Sequence, residues 1–294
     1  MALTTLWQPW EADRASGDDA GPAAGVDLRD RVADLTAGFH DGTGYHRPSR
    51  EHRETVAAGV GLVIDGDVDG AARRLAEVDF VVRTFTDSAT GRRTAEIADA
   101  AGGAERRRGW GRVYLDLSTR AHWSVQIPHP VADLDTELLG VDVLRARPGG
   151  VLILAGAHRR AGEDGVADVA HQRTSVFHAV HEELVRRDLP GVQMHGFADD
   201  SVPGEDVVVS TGRGDAAQPS ARGLADRLDA DGFAVCRGWA RRCVLEGRGN
   251  VQGRASAERG VPFLHVELSR TVREDADRTR AVVAATAAVV DDWR

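Results

Sequence analysis

Three separated stretches carry side chains suited to hydrolysis assisted by a metal ion. SVQIPHPVADLDTELLG places His129 ahead of Asp133 and Glu137, VQMHGF holds His195, and FLHVELS holds Glu267. A zinc site that activates water needs two neutral imidazoles and a carboxylate with one position left open. It also needs a further carboxylate, outside that set, to take the proton from the water. His129 and His195 are the candidate imidazoles, Asp133 or Glu137 the candidate carboxylate ligand, and Glu267 the candidate base. Asp133 and Glu137 stand one helical turn apart and share a face, so spacing does not choose between them. Asp133 or Asp135 also suits the N-cap of the helix that follows.

The local patterns around these residues fit the roles. His195 closes a short apolar run, and Gly196 behind it lets the backbone turn sharply. In VPFLHVELS, strand alternation puts Phe263, His265 and Glu267 on one face and Leu264, Val266 and Leu268 on the other. An ionisable group in so apolar a strand is costly to bury unless it is paired or faces a polar cleft. Partial desolvation raises a carboxyl pKa toward the range of a useful general base, and His265 is placed to support Glu267 from the same face. Arg159, in LAGAHRR just past a strand, is a candidate for stabilising an oxyanion together with His158.

The elements that must position these groups follow from periodicity. From Trp123 onward, apolar runs (WSVQI, VLILAGA, VQMHGF, DVVVST, GFAVCR, PFLHVEL) alternate with helical stretches such as DTELLGVDVLRAR, DVAHQRTSVFHAVHEELVRR, ARGLADRLDAD and REDADRTRAVVAATAAVVDDW. This predicts an α/β fold: a mixed, largely parallel central sheet with helices on both faces. In such sheets the working groups sit beyond the carboxyl ends of the strands. Ahead of it, residues 50–78 read as a helical pair, and FVVRTFTDSATGRRTAEIA with RVYLDLS reads as hairpin and meander strands. Residues 1–25, acidic and rich in Gly and Ala, read as a flexible leader. The expected division is therefore a leader over 1–25, an N-terminal helical and hairpin segment over 26–120, and an α/β hydrolase-like domain over 121–294.

The order of these pieces resembles the zinc carboxypeptidase superfamily, and within it an amidohydrolase branch typified by phage poly-gamma-glutamate hydrolases. The likeness rests on His129 with a nearby acid, the later His195-Gly196, the segment Asn250-Val251-Gln252-Gly253-Arg254, and Glu267-Leu268-Ser269. It covers roughly residues 123–275. The resemblance implies that His129 and His195 bind zinc with Asp133 or Glu137 as third ligand, and that Glu267 is the catalytic base. It implies substrate contacts from Asn250, Arg254 and Arg273, and an α/β sandwich around a mixed eight-stranded sheet with zinc at its carboxyl edge. The HxxE spacing of that superfamily is absent here, which leaves the third ligand open between Asp133 and Glu137. A planar guanidinium grips both oxygens of a carboxylate, so Arg159, Arg254 and Arg273 suit an anionic substrate.

Composition narrows the partners. The chain has 294 residues, is 42% hydrophobic, and carries 46 acids against 37 bases for a net charge of -9. That balance speaks against nucleic acid or an anionic membrane surface, both of which reward a clustered cationic face. All the bases are arginine. No run approaches a membrane span, and MALTTLWQPWEAD lacks the basic and apolar regions of a secretion signal, so a cytoplasmic location is expected. Cys236 and Cys243 match neither a redox pair nor a zinc knuckle and read as packing residues. Asp65, Asp67, Asp69 and Gly70 imitate the start of a calcium loop, but Ala76 stands where the bidentate glutamate belongs, so a capped turn is expected. On the stretch from Asp168 to Arg187, the stripe Ser175, His178 and Glu182 lies opposite Val169, Val176, Val180 and Leu184 and reads as solvated. Asp168 and His171, near the preceding strand end, retain access to the cleft.

The expected activity is zinc-dependent hydrolysis of an amide in a small carboxylate-bearing or glutamate-containing substrate, with another divalent metal as a substitute for zinc. The competing readings are a metal-dependent esterase or phosphoesterase and a non-catalytic binding or regulatory protein on the same scaffold.

Overall fold

The computed structural model describes residues 25–42, 44–100 and 108–293. The expected leader lies outside these apart from Gly25. Among the described residues the chain forms a nine-stranded sheet in the order β1-β2-β3-β5-β4-β6-β9-β7-β8. The strands are β1 (Phe80–Thr86), β2 (Arg93–Asp99), β3 (Arg112–Asp116), β4 (Trp123–Ile127), β5 (Gly150–Leu154), β6 (Gly191–Phe197), β7 (Val207–Ser210), β8 (Val235–Arg237) and β9 (Phe263–Ser269). The sheet is α/β and mixed with a parallel centre, as its apolar runs predict. It has one strand more than the eight implied by the resemblance.

The centre, β5-β4-β6-β9, is parallel throughout. The antiparallel meander β1-β2-β3 joins this sheet through β3 and β5, so the N-terminal hairpin segment extends the central sheet. On the other side β7 runs antiparallel to β9, and β8 runs parallel to β7.

The helices are α1 (Leu28–Thr36), α2 (Arg50–Ile64), α3 (Val68–Ala76), α4 (Thr136–Ala146), α5 (Val176–Arg186), α6 (Gln218–Ala230), α7 (Val251–Arg259), α8 (Arg270–Glu274) and α9 (Ala276–Asp291). Local chemistry sets several ends. Ser49 and His52 form a reciprocal capping box at α2, and Asp67 accepts from Gly70 N to start α3 as an ordinary capped turn. Asp275 caps α9 and divides it from α8 within a stretch whose periodicity reads as one helix. The α2–α3 pair packs on α5 and β1.

Alternation along the central strands sorts two different faces. Trp123, Val125, Ile127, Val192, Met194, Leu264, Val266 and Leu268 point to one side, where they pack with α1, α4, α6 and α9. The intervening residues Ser124, Gln126, Gln193, His195, His265 and Glu267 point to the other side and are buried there. Helices α5 and α7 cover that second face.

This arrangement corrects three expectations. The helix predicted from Asp168 begins only at Val176, with Ser175 as its N-cap, and residues 161–175 form a series of turns. His178 is 1% exposed instead of solvated, because α5 is packed between α2 and α7 and so has two covered sides. Cys236 and Cys243 are joined in a disulfide rather than merely packed. No helix among the described residues is long and apolar enough to cross a membrane.

Candidate metal centre

At the carboxyl end of β4 the chain leaves the sheet through Pro128, His129 and Pro130. The turn that follows is strained, with Val131 at φ 66° and Asp135 at φ 70°. A β-branched residue in the left-handed region costs about 1–3 kcal/mol and persists only where its surroundings impose it. Here Asp133 N donates to His129 O at 2.9 Å, and Val131 N donates to the Glu137 carboxylate at 3.1 Å. Glu137 thus clamps the loop from the first turn of α4, while Asp133 turns inward toward the histidines. Burial pushes the Glu137 carboxyl up.

The parallel register of β6 and β9 sets His195 beside Glu267 and Gln193 beside His265. His195 then meets His129 across a ring-centroid distance of 4.9 Å. Asp133 Oδ2 lies 3.1 Å from His129 Nδ1 and 3.3 Å from His195 Nδ1. These three residues offer ligand atoms within 4.8 Å of one another, and all three are buried. The structure therefore brings His129, Asp133 and His195 together, with Glu137 outside the group.

Both outer ring nitrogens are engaged. His129 Nε2 is 2.8 Å from Asp168 Oδ1, and His195 Nε2 is 2.8 Å from Gln193 Oε1. Outer partners of this kind leave the inner nitrogens free as ligands, which is how histidines in metal sites are ordinarily held. The donor set, two imidazoles and one carboxylate with supported outer nitrogens, fits zinc.

Glu267 is buried next to this group. His195, His265 and Glu267 form a second set with ligand atoms within 4.8 Å. His265 sits between, its ring 4.6 Å from that of His195 and its Nε2 3.9 Å from the Glu267 carboxylate, while His265 Nδ1 is buried without a hydrogen-bond partner among the described residues. Burial raises the Glu267 carboxyl well above the usual range and the charge of Asp133 adds to it, against the pull of Arg159 and Arg273. Asp133 behaves oppositely. Its burial penalty is outweighed by the two imidazoles of His129 and His195 beside it, which hold it well below the usual carboxylate range. The two acids are thereby separated into a permanent anion and a group able to hold a proton.

Two arginines flank the acids. Arg159, carried just past β5, donates to Asp168 Oδ2 at 2.6 Å, and its other terminal nitrogen is 3.4 Å from His129 Nδ1. The approach of this loop to the sheet depends on Gly156, where a Cβ would come within 2.1 Å of Gly111 N. Arg273, at the end of α8, donates to Leu268 O, Phe197 O and Leu134 O. Its guanidinium lies against Gly196, where a Cβ would come within 2.4 Å of its central carbon.

The remaining expected site residues sit farther back. Asn250 is 2% exposed; its oxygen accepts from Gln252 N and Gly253 N as the N-cap of α7, and its amide donates to Gln193 Oε1. Arg254 lies on α7 and donates to Arg248 O. His171 is half exposed and 3.1 Å from Asp168. Asp168, which the sequence leaves with access to the cleft, supports His129, whereas Gln193 is a supporting residue that a search for ligands passes over. Asp168 sits in a turn with no periodic signal. Gln193 has one: it is an amide two residues before His195 on a strand otherwise buried and apolar.

The segment that follows the disulfide-closed loop of Cys236 and Cys243 borders the site. Gly247, at φ 65°, presses so near the His265 ring that a Cβ would come within 2.4 Å of it. A cavity of about 670 Å³ on this loop is lined by Trp239, Arg241, Arg242, Cys243 and Arg248 among others.

No family model and no curated protein matches the chain. Among solved structures, an N-formylglutamate amidohydrolase from Ralstonia eutropha JMP134 aligns at 16% identity and a TM-score of 0.43, over 60% of this chain and 96% of that one. A zinc-free form of YNDL aligns at 13% identity and a TM-score of 0.41, over 61% and 89% respectively. The LapA aminopeptidase of Legionella pneumophila aligns at 12% identity and a TM-score of 0.34, over 96% and 78%. These scores stay below 0.5, so the functional reading rests on the site itself.

Proposed function

We propose that this chain is a zinc-dependent hydrolase that cleaves an amide bond in a small carboxylate-bearing or glutamate-containing substrate, as poly-gamma-glutamate hydrolases do. The observation that carries this reading is the convergence of His129 Nδ1, His195 Nδ1 and Asp133 Oδ2, with the buried carboxyl of Glu267 beside them. His129, Asp133 and His195 hold the ion. When bound, zinc or a comparable divalent ion supplies Lewis-acid polarisation of the scissile carbonyl and of the attacking water.

The chain's own groups do the rest. Glu267 takes the proton of the attacking water and passes it to the leaving amine, a task suited to a carboxyl raised by burial. Arg159, 3.4 Å from His129 Nδ1, is the cation at the metal site that stabilises the negative charge developing on the carbonyl oxygen. Arg273 is half-buried, makes no ion pair among the described residues, and orients a substrate carboxylate from the β9 side, with Arg254 farther out. The cavity that holds Arg241, Arg242 and Arg248 against the single acid Glu246 gives an acidic protein a locally positive wall suited to an anionic substrate.

The test is a zinc assay together with a hydrolysis screen over N-acyl glutamates and gamma-glutamyl peptides. Wild-type protein should carry one zinc per chain and release amine from at least one class. Glu267→Gln should keep the zinc and lose turnover. Metal-free wild-type protein that stays inactive after zinc is added sinks the reading.

A further inference from the structure

Asparagine and glutamine amides can be turned either way, and which way they point is decided by the groups around them. Behind His195, three chains of hydrogen bonds run into the protein, and each ends on a backbone group whose donor or acceptor character is fixed covalently.

The first passes through Asn250. Its Oδ1 accepts from the backbone N–H groups of Gln252 and Gly253, both at 3.0 Å. The amide nitrogen of Asn250 must therefore face Gln193, and Gln193 must present Oε1 to it.

The second passes through Gln252. Its Nε2 donates to Val169 O at 3.0 Å, so its Oε1 faces Gln193 as an acceptor, 3.4 Å from Gln193 Nε2. The third passes through His181 and Gln126. His181 Nε2 donates to Gln252 O at 2.9 Å, which leaves Nδ1 as an acceptor for Gln126 Nε2 at 3.0 Å. Burial drives the His181 pKa down to about 3, so this ring is neutral and its two nitrogens have opposite roles. Gln126 then turns Oε1 toward Gln193 Nε2, at 3.3 Å.

All three chains demand the same orientation of Gln193, nitrogen toward Gln126 and Gln252, oxygen toward Asn250 and His195. We infer that Gln193 is a positioning residue, held by backbone-anchored amides, that fixes His195 as the Nε2–H tautomer and so keeps Nδ1 open for a metal ion. The inference rests on the reading of His129, Asp133 and His195 as ligands. The constraint opposes a nearby alternative, since Asp133 Oδ2 is 3.3 Å from His195 Nδ1 and would accept a proton from it if Gln193 were free to flip.

The test reads the tautomer directly. In metal-free protein with ¹⁵N-labelled histidine at pH 8, the nitrogen shifts of His195 should show a protonated Nε2 and a bare Nδ1. Gln193→Met keeps the length of the side chain and removes the acceptor. It should mix the two tautomers and weaken zinc binding, measured by competition with a chelator, by about 10–100-fold. Asn250→Asp keeps the helix cap but removes the donor that orients Gln193, and should shift His195 toward the Nδ1–H form with a parallel loss of zinc affinity. A protonated Nδ1 in the wild-type protein overturns the inference whatever the variants do, even if Gln193→Met fails to fold. So does a folded Gln193→Met with unchanged tautomer and zinc affinity. Should the wild-type protein bind no zinc, the metal reading fails while the tautomer measurement still judges the role of Gln193.

Discussion

Asp168 Oδ1 lies 2.8 Å from His129 Nε2, and this contact turns the other nitrogen of the ring toward Asp133. Although burial opposes charge on His129, its bonds to Asp133 and Asp168 raise its pKa. Burial likewise opposes charge on Asp168, but hydrogen bonds from His129 and His171 and the charge of Arg159 leave it a firm anion. A carboxylate behind a ligand histidine fixes the tautomer and strengthens the ring as a donor. Its removal typically costs about 10–100-fold in metal affinity. Asp168→Ala should therefore weaken zinc binding by that order. Asp168→Asn, which keeps an acceptor oxygen, should lose less, and chelator titration of the two variants orders them.

The roles of Asp133 and Glu137 separate by substitution. Asp133 faces both histidines, whereas Glu137 accepts from Val131 N in the strained loop. Asp133→Asn should weaken zinc binding beyond the roughly 10–100-fold expected of a supporting residue. Glu137→Gln retains an oxygen for Val131 N and removes a carboxyl whose charge is disfavoured by burial, so zinc stoichiometry and thermal stability should both survive. Zinc loss in Glu137→Gln with retention in Asp133→Asn would exchange the two assignments.

Glu267 connects stability with activity. Its folded pKa is raised by burial while its unfolded value stays near about 4.3, so the folded state holds the proton longer. Folding of the zinc-free protein loses stability as pH climbs from about 4.3 to the folded pKa, and above it the loss is complete. Asp133 and Asp168, both depressed, act in the opposite sense: the stability they add is present above the ordinary aspartate pKa near about 3.9 and is lost as pH falls below it. Glu267→Gln should melt higher than wild type at neutral pH by a few degrees, roughly 2–4 °C per kcal/mol in a protein of this size. It should also abolish turnover. An equal or lower Tm in calorimetry at pH 7 contradicts the burial argument.

What could be read without coordinates follows from where periodicity operates. The alternation of FLHVELS put His265 and Glu267 on one face and the end of the apolar run VQMHGF singled out His195, but only the strand register sets His195 beside Glu267. The choice between Asp133 and Glu137 was hidden because both share a helical face in the abstract, whereas Val131 and Asp135 adopt left-handed backbone that delays the start of α4 to Thr136. Helix α7 escaped notice because VQGRASAER has a single large apolar residue and is held by its Asn250 cap and by packing on α5 and β9. His178 looked solvated because a helical projection assigns one buried face, and α5 has two covered sides. Gln126 and Gln252 carry no signature that sequence spacing can weigh, since their meaning lies in their contacts with Gln193.

The disulfide between Cys236 and Cys243 closes a short loop, and the segment just after it reaches the site. Cys243 N donates to Glu246, and Gly247 follows against the His265 ring. Chain entropy assigns a bridge across a loop of this length about 2.5 kcal/mol of stability. Cys236→Ser should lower stability by up to that amount in urea titration and match wild-type protein treated with reductant. Equal stability of the oxidised and reduced forms, with two free thiols counted in each, would show that the bridge does not form.

Gly196 and Arg273 make a steric test of substrate binding. Gly196 leaves just the space that the Arg273 guanidinium occupies, so Gly196→Ala must move the end of a flexible side chain while leaving its charge in the protein. A hydrogen bond to a charged group is worth about 1.5–3 kcal/mol, or roughly 10–100-fold in binding. If Arg273 orients the substrate carboxylate, Gly196→Ala should raise KM by about that factor, and Arg273→Gln should reproduce the effect with zinc content unchanged. The double variant should then be no worse than Arg273→Gln alone, because both substitutions remove the same contact. Gly196 N also lies 3.3 Å from Asp133 Oδ2, so the zinc content of Gly196→Ala separates the two routes. Zinc loss there, or additive effects in the double variant, shows that the glycine acts through Asp133 and not through the arginine.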